Sequence, residues 1–358
     1  MSWGFLPDLG ARRSARSGST PAAVPSVETG APAPRAAAAE PKPLPSVDAS
    51  DTLIQGPWRH RFIAANGARF HVAEIGTGPL VLLLHGFPEF WWCWRHQLPA
   101  LAAAGYRAVA LDLRGYGASD KPPRGYDTIT LAADVAGVVR ALGETDAVIV
   151  GHDWGGWLAW SMPGLAPRET RAVATLSMAH PLTLRSALTR DRAQRRAWRP
   201  VLEFQLPMRP EQQLTRGDRA VGLIEQWSAP RPVDRPAEVF PDHESLEVYR
   251  RAMRVPFVAH SALEYYRWAL RSLPRRDGRR FSAAVAEQIT VPLLQLHGEL
   301  DEFVLPATAV ASHRRVAGPL SYELIPGAGH FLPEEAPEQV TAALLAWLAG
   351  LDLGEQRV

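Results

Sequence analysis

Val148-Ile149-Val150-Gly151-His152-Asp153-Trp154-Gly155-Gly156 decides how this chain is read. A short β-branched run leads into Gly151, and a carboxylate follows with glycines two places to either side. The run describes a strand buried on both faces. Gly151 and Gly155 let the backbone turn sharply without a Cβ clash, and a helix begins at once. A side chain at the apex of such a turn stands clear of the sheet, where it can react. The apex residue is Asp153, and no Gly-x-Ser-x-Gly occurs in the 358 residues, so a serine esterase is not expected.

Outward from this stretch the chain alternates between strand and helix patterns. Upstream, Arg61–Ala64 and Ala68–Ala73 flank Asn66-Gly67, a tight-hairpin pair. Leu80–Leu84 reads as a buried strand, followed by a helical pattern from Trp94 to Ala104 and a strand at Ala108–Leu111. Leu131, Val135, Val138, Val139 and Leu142 share one helix face, and Ala147–Val150 is the strand that enters the turn. The alternation stops after Leu176, resumes at Val291–Leu296 and Ser321–Ile325, and closes with a helix carrying Val340, Leu344, Leu345 and Leu348. Such spacing predicts an α/β fold with a mostly parallel central sheet and helices on both faces. Residues 182–285 hold no strand pattern and are predicted to be an inserted helical lid; 53–181 and 286–358 form the core. Residues 1–52, rich in Ala, Pro and Ser, are predicted to be a disordered tail. Arg275, Arg276, Arg279 and Arg280 read as a solvated turn.

Composition narrows the function. Apolar residues make up 46% of the chain, enough for a sizeable core, yet no run is long enough to span a bilayer. A net charge of +2 without a basic cluster gives no footprint for nucleic acid. The single cysteine, Cys93, cannot form an internal disulfide and reads as buried filler in a cytoplasmic protein. No apolar segment follows Arg12-Arg13, so no export signal is read there. His96, His180, His260 and His313 lack the spacing of metal ligands, and neither a metal nor a cofactor is expected. Oligomeric state has no sequence correlate here.

The stretch around Asp153 resembles the nucleophile elbow of the α/β-hydrolase family, in its epoxide hydrolase and haloalkane dehalogenase branches. Leu84-His85-Gly86-Phe87-Pro88 resembles the family's oxyanion loop, and Asp112 to Pro122 the loop after the next strand. The resemblance runs from about residue 58 to 350. It implies Asp153 as nucleophile, Asp301 as acid and His330 as base, in the family's chain order. Glu299 fits the acid less well by position. It also implies an oxyanion hole from the backbone N–H groups of Phe87 and Trp154, and a cis bond at Phe87–Pro88. His152 would shape the elbow and His85 would support the oxyanion loop. The implied chemistry is attack of Asp153 on carbon to give an alkyl-enzyme ester, hydrolysed by water that His330 deprotonates. A serine would give an ether that water cannot cleave.

Opening an epoxide leaves an alkoxide, for which this family supplies two lid tyrosines. Ala262-Leu-Glu-Tyr-Tyr-Arg-Trp268 resembles the second motif, with Tyr266 the matching position. Tyr265 points about 100° away on a helix. The first tyrosine falls four residues before Phe204-Gln205, at Pro200, and proline has no proton to give. Tyr249 is the next tyrosine along the chain, without the right spacing. The expected reaction is therefore opening of a small apolar epoxide with water to a vicinal diol. A haloalkane dehalogenase is the alternative, since halide needs no acid and Trp91, Trp92, Trp198 or Trp268 could supply a second indole donor beside Trp154. Against it, Phe87 stands where dehalogenases carry Asn or Glu, and Trp154 where fluoroacetate dehalogenases carry Arg. A low-turnover ligand-binding member of the fold is the third reading.

Overall fold

Five consecutive apolar residues, Leu80–Leu84, are fully buried, as a strand covered on both faces requires. The computed structural model describes residues 47–230 and 239–352. The strands and helices begin with β1 (Arg59–Ala65), β2 (Ala68–Ile75), β3 (Leu80–Leu84), α1 (Gln97–Ala103), β4 (Arg107–Leu111) and α2 (Thr128–Ala141). They continue with β5 (Ala147–His152), α3 (Trp154–Leu165) and β6 (Thr170–Leu176). Helices α4 (Pro181–Arg190), α5 (Arg192–Ala197), α6 (Arg199–Glu203), α7 (Arg209–Arg216), α8 (Arg219–Trp227), α9 (His243–Arg254), α10 (Val258–Arg271) and α11 (Arg276–Ala284) follow without a strand among the described residues. The chain then returns to the sheet with β7 (Leu293–Gly298), α12 (Pro306–Val310), β8 (Leu320–Ile325), α13 (Leu332–Glu335) and α14 (Pro337–Ala349).

The eight strands order as β1-β2-β4-β3-β5-β6-β7-β8. β1 and β2 form the hairpin through Asn66 and Gly67, both at positive φ as a two-residue turn of this kind demands. β2 pairs antiparallel with β4, and every later neighbour is parallel. The chain goes from β3 to β4 on one side and returns to β5 on the other. That reversal opens a crevice at the carboxyl ends of β3 and β5, where open α/β sheets bind ligands. Leu84 and Gly151 stand in register there, so the loops leaving β3 and β5 emerge side by side.

Three sequence readings change in the structure. The helical pattern from Trp94 to Ala104 divides into a 3-10 turn at Trp91–Trp94 and α1. Arg275, Arg276, Arg279 and Arg280 are not a turn: the last three lie on α11, with Arg275 at its N-cap. The helix is held by one apolar anchor, Phe281, stacked on Trp157 at 5.9 Å, and a single anchor leaves no readable period. Residues 49–52, assigned to a disordered tail, form a 3-10 turn capped by Asp48. Buried Thr52 accepts the indole N–H of Trp91 at 2.9 Å, a tertiary contact that composition does not reveal. The rest of that predicted tail, residues 1–46, lies outside the described residues. No described helix is long and apolar enough to cross a membrane.

Candidate active site

Asp153 sits at φ +47°, ψ −112°, between the end of β5 and the first residue of α3. Positive φ is costly for a residue with a Cβ and persists only where the surroundings over-determine it. Glycines make room. A Cβ on Gly151 would lie 2.0 Å from the Gly155 carbonyl oxygen, and one on Gly155 2.0 Å from that of Leu84. On the neighbouring loop, a Cβ on Gly86 would meet the Asp153 Cβ at 2.5 Å. The loop that carries Gly86 therefore lies directly against the elbow, with Phe87–Pro88 in the cis form.

The Asp153 carboxylate is buried. Its Oδ2 accepts the Phe87 backbone N–H at 2.8 Å, while Oδ1 has no hydrogen-bond partner among the described residues. Oδ1 faces His330 Nε2 at 3.5 Å. His330 Nδ1 is 2.9 Å from Asp301 Oδ2, and Asp301 Oδ1 accepts the backbone N–H groups of Phe303 and Val304, each at 2.9 Å. Trp154 opens α3, where a backbone N–H has no acceptor within the helix. Burial alone would lower the His330 pKa, but the Asp301 and Asp153 carboxylates outweigh it and push it up to about 10. Burial acts to raise the Asp301 pKa, and the charge and hydrogen bond of His330 reverse that and hold it below its ordinary value. Glu299, the poorer acid by position, instead accepts the Gly327 N–H at 3.0 Å.

From α10, Tyr266 reaches the same place. Its ring packs edge-on against Phe87 (5.4 Å), Trp154 (4.9 Å) and Phe204 (5.0 Å). Its buried hydroxyl has no hydrogen-bond partner among the described residues. Burial, and after it the Asp153 charge, push the Tyr266 pKa well above its ordinary value, against the opposing pull of the Trp154 side chain. Tyr265, one residue away, donates instead to the Arg114 carbonyl at 2.7 Å. Tyr249 donates to Glu334, where α9 meets α13. Pro200 lies in the first turn of α6 and lines a polar cleft with Arg199, Glu203, Arg219 and Glu302. Of the candidate indole donors, Trp91 is engaged by Thr52 and Trp268 by Asp277 at 3.1 Å, while Trp92 lies against the Arg95 guanidinium at 3.6 Å.

Two carboxylates that sequence reasoning passed over hold the loops in place. Glu335 accepts three backbone N–H groups, from Gly329 (2.9 Å), Phe331 (2.9 Å) and Ala229 (2.8 Å), bracketing His330. Glu89 pairs with His152 Nδ1 at 2.8 Å, and His152 Nε2 reaches the His330 carbonyl at 2.8 Å. Burial raises the Glu89 pKa against the opposing pull of His152. His85 is 2.8 Å from the Gly86 carbonyl through Nδ1 and accepts the Leu113 N–H at 3.1 Å through Nε2. Neither glutamate could be found from pattern, because the atoms each serves are backbone atoms brought in by folding. Among the described residues, no group of three His, Cys, Asp or Glu side chains is placed to hold a metal ion.

Comparison with known proteins fixes the family. Residues 79–337 match the family model for the alpha/beta hydrolase fold. Epoxide hydrolase A of Mycobacterium tuberculosis is 34% identical over 82% of this chain and 98% of its own length. The chain belongs to the epoxide hydrolase family of the α/β-hydrolase fold. Epoxide hydrolase 3 of Xenopus tropicalis is 33% identical over 79% of this chain and 75% of its own. The solved structure of Epoxide Hydrolase A from Mycobacterium thermoresistibile superposes at a TM-score of 0.69, with 31% identity over 83% of this chain and all of that one. An epoxide hydrolase from an endophytic Streptomyces gives 0.70, with 33% identity over 83% and 96%. This epoxide hydrolase-family chain is accordingly an enzyme of the hydrolase class.

Proposed function

We propose that the protein opens an apolar epoxide to a vicinal diol through an ester on Asp153. The carrying observation is the buried carboxylate held at 2.8 Å by the Phe87 N–H, with the His330–Asp301 pair behind it and the free Tyr266 hydroxyl in front. A carboxylate oxygen of Asp153 attacks one ring carbon, the C–O bond breaks, and Tyr266 gives its proton to the departing oxygen. Esterification removes the charge of Asp153, one of the two carboxylates that raise the His330 pKa, the other being Asp301. His330 then releases its proton, which restores Tyr266 by way of solvent. Neutral His330 takes a proton from the water that attacks the ester carbonyl. The Phe87 and Trp154 N–H groups stabilise the oxyanion, a donor worth on the order of 10²–10³ in rate. Collapse returns the carboxylate and the diol.

In this reading α4–α11 act as a lid over the crevice, and the aromatic wall of Phe87, Trp154, Phe204 and Tyr266 selects an apolar substrate. The only co-substrate is water. A cytoplasmic setting goes with it, since the lone Cys93 leaves no disulfide to need an oxidising compartment.

A single turnover with enzyme in excess, run in ¹⁸O-water, tests the ester. The water oxygen then enters Asp153 and the first diol is unlabelled; labelled diol from the first turnover overturns the mechanism. A parallel screen for halide release from haloalkanes of similar size separates the alternative: halide without diol would make this a dehalogenase. Asp153→Ala is expected to abolish turnover.

A further inference from the structure

His330 is tied to the helical insertion through its own backbone. Its N–H donates to the Trp227 carbonyl at 2.9 Å, just where α8 ends. The Trp227 ring stacks on Phe303 at 4.1 Å and stands edge-on to the His330 imidazole at 5.9 Å. A Cβ on Gly329 would lie 2.3 Å from the Ala229 nitrogen, so the backbones of the two segments touch. Glu335 closes this contact. Its Oε2 accepts from Gly329 on the His330 loop at 2.9 Å and from Ala229 on the insertion at 2.8 Å. Its Oε1 accepts from Phe331 at 2.9 Å, on the other side of His330.

We infer that Glu335 is a positioning residue that clamps His330 to the lid, so that the base and the lid move as one piece. This rests on His330 being the base and on α4–α11 being the lid. Ala229, Gly329 and Phe331 are all buried, and a buried N–H left unpaired is costly. A carboxylate can take donors on both of its oxygens at once, which an amide or a hydroxyl cannot.

The clamp reaches further than the loop. α8 and α10 both pack on α9, so the helix that carries Tyr266 belongs to the same body as the segment that Glu335 holds. Opening the lid would then withdraw the acid and disturb the base together. The two chemical steps depend on the clamp differently. Ester formation draws on Asp153 from the turn after β5 and on Tyr266 from α10, and neither is hydrogen-bonded to Glu335. Ester hydrolysis needs the His330 imidazole at a fixed place beside the ester, and that place is what Glu335 sets.

Rapid mixing of the full-length protein with an epoxide, the ester being followed by intact-protein mass, tests this. Glu335→Gln keeps the volume but turns one oxygen into an amide nitrogen that cannot accept, so one side of the clamp is lost. Ester hydrolysis is expected to slow about 10²-fold, as a displacement of about 1 Å can do, while ester formation stays within a factor of about two. The ester should therefore accumulate during turnover. Equal losses in both steps, or no loss in either, overturn the assignment.

Hydrogen exchange on the wild-type protein gives a second reading that does not depend on a variant folding. The amides of Ala229, Gly329, His330 and Phe331 should open together, with protection factors within about threefold of one another. In Glu335→Gln all four should lose about tenfold in protection while the amides of Val148–Val150 in β5 keep theirs. An Ala229 amide that opens independently of Gly329, or a loss shared by β5, refutes the clamp. If wild-type enzyme forms no ester with any epoxide, the exchange result still stands and it is the reading of Asp153 that fails.

Discussion

Esterification of Asp153 should itself convert His330 from a bound cation into a base, and Asp153→Asn imitates that change without substrate. The substitution keeps the shape of the side chain and removes its charge. His330 Nε2 lies 3.5 Å from Asp153 Oδ1, both buried. At an effective dielectric constant of about 20, opposite unit charges at that separation attract by about 4–5 kcal/mol. One pH unit corresponds to about 1.4 kcal/mol, so losing the charge lowers the His330 pKa by about three units. From about 10 in the resting enzyme it should fall to about 7 in Asp153→Asn. Imidazole NMR titration of His330 in the two proteins measures this directly. In the wild type, hydrolysis of the ester should follow a group titrating near pH 7. A His330 that stays protonated to pH 10 in Asp153→Asn would refute the charge-switch argument.

Stability carries the same signal. The folded-state pKa of His330 is raised above its ordinary 6.5, so its ion pairs stabilise the fold in full below about pH 6.5. That contribution is lost as pH rises through about 10, and in Asp153→Asn it should already be gone just above pH 7. Melting temperatures recorded across pH 6 to 10 would show the difference.

Three further outcomes are expected. Tyr266→Phe should slow epoxide opening by about 10²–10⁴ and leave ester hydrolysis nearly unchanged, measured by rapid mixing; equal losses would contradict its role as acid. Gly155→Ala would force a Cβ to 2.0 Å from the Leu84 carbonyl oxygen, a backbone atom that cannot move aside. It should cost about 3 kcal/mol in urea unfolding, and a loss below about 1 kcal/mol would show that the elbow has slack. Arg95→Met would strand the buried Glu334, whose Oε1 is 2.5 Å from Arg95 Nη1 and which also receives the Tyr249 hydroxyl from α9. The expected loss is about 3–5 kcal/mol, and a neutral result would show that Arg95 is not what compensates the buried Glu334.

Much of the fold was legible because strands buried on both faces leave uninterrupted apolar runs. β3 and β5 could be read from Leu80–Leu84 and Ala147–Val150 for that reason. The turn at Asp153 was legible from Gly151 and Gly155, where the structure leaves no room for a Cβ. α11 was not, because its apolar hold on the protein runs through the single side chain of Phe281, packed against Trp157 and Trp268, within an arginine-rich stretch. The turn at residues 49–52 was not, because it depends on an indole 39 positions further along the chain.

By itself the sequence determined the strand-turn-helix at Asp153, the chain order of Asp153, Asp301 and His330, and the proline at position 200. These are local or ordinal facts, carried by residue type and spacing. Only the tertiary structure decided how far apart the charges stand, which hydroxyl groups lack a partner among the described residues, and which glutamates hold the loops around His330. Those depend on atoms separated by tens to hundreds of residues meeting within a few ångströms. Both Coulomb energies and hydrogen bonds vary with that separation and not with position in the chain.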